Sequence, residues 1–128
     1  METIELNGVT LEQWGPQELY DAMQRGDAAV IDVRTPQEFA FEHIKGALLS
    51  PLSTFDAHAL PSQQGKKLVF HCGSGVRSRR VAEACVAAGF DRVAHLEGGF
   101  TAWKQADLPY IAIDPASGSQ RVVGGQQK

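Results

Sequence analysis

Leu68-Val69-Phe70-His71-Cys72-Gly73-Ser74-Gly75-Val76-Arg77-Ser78 is the stretch on which the fold is read. Its first four residues make a short apolar run of strand length. Two glycines and a serine then break it. From Val76 to Ala88 the apolar residues fall at helical spacing, with Val81, Ala84, Cys85 and Ala88 on one face and Gly89 past the end. Strand, tight loop and helix in that order make one unit of a parallel sheet. Similar units lie on either side. Upstream, Ala29-Val30-Ile31-Asp32 reads as a strand, and Thr35-Pro36 opens a short helix in which Thr35 caps the first amides and Glu38 stands at capping-box distance. Downstream, Val93-Ala94-His95-Leu96 reads as a strand, and Gly98-Gly99-Phe100 leads into a last helix through Trp103 and Lys104. Short strands alternating with helices predict an α/β fold, a parallel sheet flanked by helices.

The remaining segments fit around that frame. Ile4 to Leu11 alternates apolar residues around Asn7-Gly8, as a hairpin or a turn into a first strand would. Pro16 opens a helix to about Arg25, with Leu19, Tyr20 and Met23 facing inward and Gly26 closing it. Ala47-Leu48-Leu49 is a short strand ended by Ser50-Pro51, and the looser stretch from Leu52 to Gln64 follows it. Residues 1–113 are thus expected to form a single domain. Residues 114–128, rich in Ser, Gly and Gln, read as a flexible tail in which Val122 and Val123 are the apolar exceptions.

Composition narrows the function classes. With 128 residues, 43% hydrophobic and 21% charged, the chain has the make-up of one ordinary globular domain. A net charge of −3 gives no reason to expect nucleic acid or an anionic membrane as partner. No apolar run approaches the roughly 18–20 residues of a spanning helix, and the acidic start Met1-Glu2-Thr3 does not resemble a signal peptide. A cytoplasmic location is the expectation. Cys72 and Cys85 lie thirteen positions apart and match no metal or redox pair, so each is read singly. His43, His58 and His95 lack metal-ligand spacing, and no metal or other cofactor is expected.

In a parallel sheet the carboxyl ends of the strands share one edge, and ligands bind there. Asp32, Ser50, Cys72 and Glu97 each stand at or just after a predicted strand end. The loop Gly73-Ser74-Gly75 can curl so that successive N–H groups face one cavity, and the following helix adds its own unpaired amides. Arg77 contributes a fixed charge with a planar fork of donors. Such a cradle holds an anion and favours Cys72 as thiolate, the nucleophilic form. A buried hydrophobe at a strand end would not call for this loop. Cys85, on the inward face of a helix among alanine and valine, reads as core.

The chain resembles the rhodanese family from about Pro16 to Pro109. The resemblance is carried by Ile31-Asp32-Val33-Arg34 with Glu38-Phe39, and by His43-Ile44-Lys45-Gly46-Ala47. It continues in Cys72-Gly73-Ser74-Gly75-Val76-Arg77-Ser78 and in Leu96-Glu97-Gly98-Gly99-Phe100 with Ala102-Trp103. It implies a five-stranded parallel sheet with helices on both faces, Cys72 as sulfur-accepting nucleophile and residues 73–77 as the active-site loop. The implied reaction is a two-step transfer through a Cys72 persulfide. A donor such as thiosulfate loses its outer sulfur, and a thiol, cyanide or a protein accepts it. Related phosphatases and arsenate reductases have five residues between cysteine and arginine. Here four intervene, a smaller ring that suits one sulfur atom better than a tetrahedral oxyanion.

Three readings therefore compete: a sulfurtransferase, a persulfide carrier serving a partner protein, and an arsenate reductase or phosphatase on the same scaffold. Asp32, Arg34 and Ser78 are supporting candidates. Asp32 either orients the loop and pairs with an arginine or caps backbone amides, and Arg34 reads as structural. His71 points away from Cys72 because adjacent strand residues alternate, and it reads as a packed histidine. Phe100 and Trp103 read as core.

Overall fold

The computed structural model describes the chain apart from residues 7, 61–64, 74–75, 91 and 126–128, with only the backbone of residues 6, 76, 78, 79 and 82. Strands β1 (Glu2–Leu6) and β2 (Val9–Trp14) form the hairpin that the alternation around Asn7-Gly8 allowed, with Gly8 at φ 83° in the turn. Helix α1 (Pro16–Gln24) starts on Pro16, whose missing N–H costs nothing in a first turn, and ends before Gly26 at φ 80°. It leads to β3 (Ala28–Asp32), α2 (Pro36–Phe41), β4 (Glu42–Ile44) and β5 (Leu48–Leu49). Two short 3-10 turns over Leu52–Thr54 and Ala57–Ala59 precede β6 (Lys67–His71). The chain continues through α3 (Val76–Ala87), β7 (Arg92–Leu96), α4 (Gly99–Gln105), β8 (Tyr110–Ile113) and β9 (Gln120–Val123).

The main sheet has the order β1-β2-β7-β6-β3-β5. Five of its strands, β2 to β5 in that order, are mutually parallel, and β1 adds an antiparallel edge. The expected five-stranded parallel sheet is present, extended by one strand. Side-chain alternation divides the core in two. Val9, Leu11, Ile31, Val33, Phe70 and Cys72 pack on one face with Val81 and Cys85 of α3. Val30, Val69, Ala94 and Leu96 pack on the other with Leu19 and Ala22 of α1 and with Phe100 and Trp103 of α4. Helices thus cover both faces, as parallel sheets require. Within α1 the fully buried pair is Leu19 and Ala22, with Tyr20 and Met23 half-buried beside them.

A second, antiparallel sheet of order β4-β8-β9 has no counterpart in the sequence reading. It also revises the view of residues 114–128. Gln120–Val123 pair with β8 through backbone hydrogen bonds while Gln120, Arg121 and Val122 stay exposed. A strand held by its backbone and wetted on both faces has no apolar periodicity to announce it. Among the described residues no helix is long and apolar enough to cross a membrane.

Candidate active site

Cys72 follows the last residue of β6, the strand flanked by β7 and β3 at the centre of the sheet, and it is 1% exposed. Its side chain belongs to the α3 face. The backbone behind it is anchored on the opposite, α4 side. Phe100 N–H donates to the Cys72 carbonyl at 2.9 Å, and Thr101 donates to the Gly73 carbonyl from its N–H at 3.3 Å and its hydroxyl at 3.2 Å. This contact requires glycine at 99. With φ at 60°, a Cβ there would stand 2.4 Å from the Cys72 oxygen and 2.7 Å from the Gly73 oxygen, inside any tolerable contact.

Asp32 and Arg34 form a buried pair on that same face. Arg34 donates to the Asp32 carboxylate from Nε (3.0 and 3.2 Å), from Nη2 (2.8 Å) and from its backbone N–H (2.9 Å). Its Nη2 also reaches the Glu42 carbonyl at 2.7 Å, and the guanidinium lies 4.7 Å over the Phe100 ring. Burial by itself would push the Asp32 carboxyl up. His71 and Arg34 outweigh it and hold the group well below the usual carboxylate range. The His71 ring is fully buried between the two sites, with Nε2 3.4 Å from Asp32 Oδ2 and Nδ1 3.0 Å from the Cys72 carbonyl. His71 is thus packed on the face away from the thiol, and it also has polar partners that the packed reading did not supply.

Arg77 was expected to offer its fork to a substrate anion. In the structure that fork is engaged by Glu38, with Nη1 to Oε1 at 2.7 Å and Nη2 to Oε2 at 3.2 Å. Glu38 Oε1 also accepts from the Thr35 N–H at 2.9 Å, and the Glu38 N–H donates to the Thr35 hydroxyl at 3.1 Å, completing the capping box. The Arg77 guanidinium holds the Glu38 carboxyl down at about 2, against the opposing effect of burial, and the Thr35 amide helps. Glu38 in turn pushes Arg77 up, and Cys72 and Asp32 add smaller contributions. Asp32, Arg34, His71 and the Cys72 backbone are brought together, while Ser50 is tied to the strand-end rim by its N–H on the Asp32 carbonyl at 2.8 Å.

Ser74 and Gly75 lie outside the described residues, as do the side chains of Val76 and Ser78. Glu38 as partner of Arg77, His71 as partner of the Cys72 carbonyl, and Gly99 and Thr101 as supports of the loop were missed as site residues. Only the Gly98-Gly99 pair before a helix signalled a close backbone approach. Cys85 lies in the core as expected, and burial pushes its thiol up to about 11. Among the described residues, no three His, Cys, Asp or Glu side chains converge as metal ligands would.

The family model described as the rhodanese-like domain matches residues 15–106. The chain belongs to the rhodanese family. This rhodanese-like domain is 34% identical over 94 residues to a thiosulfate sulfurtransferase GlpE of Haemophilus influenzae, covering 73% of the chain and 89% of that protein. It is 41% identical over 96 residues to the uncharacterized protein slr1261 of Synechocystis, covering 75% of the chain and spanning only 54% of that protein's length. A crystal structure of a rhodanese-like domain protein from Staphylococcus aureus superposes with a TM-score of 0.61 at 31% identity, over 72% of the chain and 90% of that structure.

Proposed function

We propose that this rhodanese-like domain is a sulfurtransferase that carries a sulfane sulfur on Cys72 as a persulfide. The observation that carries the reading is the seat of Cys72. It stands at the carboxyl end of the central strand, its own carbonyl and that of Gly73 turned back onto α4, and α3 begins four residues later. A buried thiolate there is opposed by the amino end of a twelve-residue helix, whose first N–H groups have no partner within the helix.

The Cys72 thiolate attacks the outer sulfur of a small anionic donor such as thiosulfate. The new S–S bond forms as the old one breaks, and sulfite leaves with the electron pair. The terminal persulfide sulfur is an anion and takes over the place of the thiolate charge. An acceptor nucleophile, whether a thiol, cyanide or a protein, then attacks that sulfur and regenerates the thiolate. Stabilisation of both anions falls to backbone amides. Arg77 acts as a strut between α3 and α2 rather than as a receiver of substrate. The thiosulfate sulfurtransferase among the relatives supports this reading.

An arsenate reductase or phosphatase is disfavoured by the four-residue gap between Cys72 and Arg77 and by the engagement of the Arg77 fork with Glu38. The test is intact-protein mass after brief thiosulfate treatment, with sulfite measured in parallel. The expected result is one added sulfur on the wild type with stoichiometric sulfite, and none on Cys72→Ser. A persulfide that forms only from a protein persulfide donor would replace the enzyme reading by the carrier. No persulfide from either donor would reject both.

A further inference from the structure

We propose that His71 is a positioning residue, which orients the peptide at the entrance of the loop by donating from Nδ1 to the Cys72 carbonyl. The inference rests on the reading of Cys72 as sulfur carrier. A carbonyl oxygen only accepts, so the proposal places a ring proton on Nδ1, 3.0 Å from it. The same oxygen accepts the Phe100 N–H at 2.9 Å, so both of its lone pairs are served from the α4 side. The peptide is trans, and its C=O and N–H point in opposite directions. Pinning the oxygen toward His71 and α4 therefore turns the Gly73 N–H toward the α3 face, where the Cys72 thiol lies. The Thr101 contacts hold the next carbonyl, that of Gly73, in the same way.

A polar side chain at this position needs a reason. Val69, two residues earlier on β6 and on the same face, is plain core. Burying an imidazole in its place is unfavourable unless its nitrogens find partners. Nδ1 has the Cys72 carbonyl, Asp32 Oδ2 stands 3.4 Å from Nε2 without a formed hydrogen bond, and Arg34 holds Asp32, so buried polar groups line up from Arg34 past Asp32 and His71 to the Cys72 carbonyl. Every member is 5% exposed or less. Loss of the Nδ1 donor would leave the peptide on the single Phe100 bond and let its N–H drift from the charge that it stabilises.

The test compares wild type, His71→Leu and His71→Asn. Leucine keeps apolar volume without a donor, whereas the asparagine amide nitrogen can stand near Nδ1. Two rates are measured at Cys72: sulfur uptake from thiosulfate, and alkylation by anionic iodoacetate relative to neutral iodoacetamide, located by peptide mass. His71→Leu should lower the uptake rate and the iodoacetate preference about tenfold or more, and His71→Asn should recover most of both. Equal loss in the two variants, or no loss in either, would overturn the proposal. In case the leucine variant does not fold, nitrogen-15 NMR of the wild-type ring decides independently, because a ring without a proton on Nδ1 overturns it as well. A wild type that takes no sulfur refutes the sulfurtransferase reading instead. The alkylation ratio and the ring spectrum then still judge His71.

Discussion

Replacing Asp32 by asparagine isolates the buried charge pair under the site. The carboxylate accepts from Arg34 at Nε, Nη2 and the backbone N–H, and it faces His71 Nε2. Asparagine retains one oxygen for the backbone N–H and Nε. It then presents an NH2 group to Nη2, where an acceptor stood. Arg34, 5% exposed, keeps its charge and loses its counter-ion. Breaking a buried pair from one side costs about 3–5 kcal/mol. Arg34 still has the Glu42 carbonyl and the Phe100 ring, which places the loss near the lower figure, about 3 kcal/mol. A domain of this size has roughly 5–15 kcal/mol in all, so the variant still folds at pH 7. Urea denaturation should show a lower midpoint at unchanged slope. Arg34→Met added to Asp32→Asn should recover part of the loss, since no unpartnered charge then remains. The acid limb gives a second reading. Because the folded carboxyl is held below its ordinary range, its contribution is present above the unfolded pKa of about 4 and is lost as the pH falls further. Asp32→Asn should flatten that limb. A loss below about 1 kcal/mol, or a double variant less stable than the single one, would refute the reasoning.

Glu38→Gln should change stability by at most about 1 kcal/mol, because the pair with Arg77 is more than one-third exposed. With its fork released, Arg77 should nonetheless slow persulfide formation several-fold, read by stopped-flow sulfite release. That pair's own contribution is present above about pH 4.5 and is lost toward pH 2, so the variant and wild type should converge in acid melts. Gly99→Ala should cost about 2 kcal/mol or more and reduce sulfur uptake over tenfold, since the new methyl meets the Cys72 and Gly73 carbonyls. Uptake at the wild-type rate in a folded Gly99→Ala protein would show that the α4 contact does not shape the loop. For Cys85 the folded thiol is held up at about 11, so its contribution is full below about pH 9 and is lost as the pH rises through 11. Cys85→Ala should therefore narrow the alkaline fall in stability while leaving sulfur transfer at neutral pH intact.

What was legible in the sequence is what neighbouring residues decide. The strands of β3, β6 and β7 are found within a residue of their reading because each is a short, mainly apolar run of strand length. Thr35 and Glu38 revealed their capping box at a separation of three. β4 escaped notice because it is three residues long and includes Glu42 and His43, and β9 because three of its four side chains are exposed. At the site, the sequence singled out Cys72 and the glycines after it as candidates. The engagement of Arg77 was not legible, since Glu38 lies 39 positions away on a different helix and was already accounted for by its local cap. One carboxylate serving two elements leaves no trace in spacing. His71 was correctly turned from the thiol by strand alternation, yet the same alternation aims it at Asp32 on the parallel neighbour, its register partner in β3.

That register explains why the buried charges lie apart from Cys72. Asp32 and His71 are paired positions on adjacent parallel strands, so both project to the α4 face, and Arg34 joins them there. Cys72, one residue on, projects to the α3 face. The sheet itself separates a carboxylate held ionised from the Cys72 thiol on which the proposed reaction places a second negative charge, and it leaves the connecting peptide as the contact between them. A carboxylate on the thiol's own face would oppose the second negative charge by direct repulsion in a medium of low dielectric. Here its influence reaches the thiol through the orientation of an amide. The arrangement makes a distinction that experiment can use. Substitutions on the α4 face should change the rate of sulfur uptake through loop geometry. Substitutions at Arg77 or Glu38 should change it instead by loosening the brace of α3 on α2, with little loss of stability.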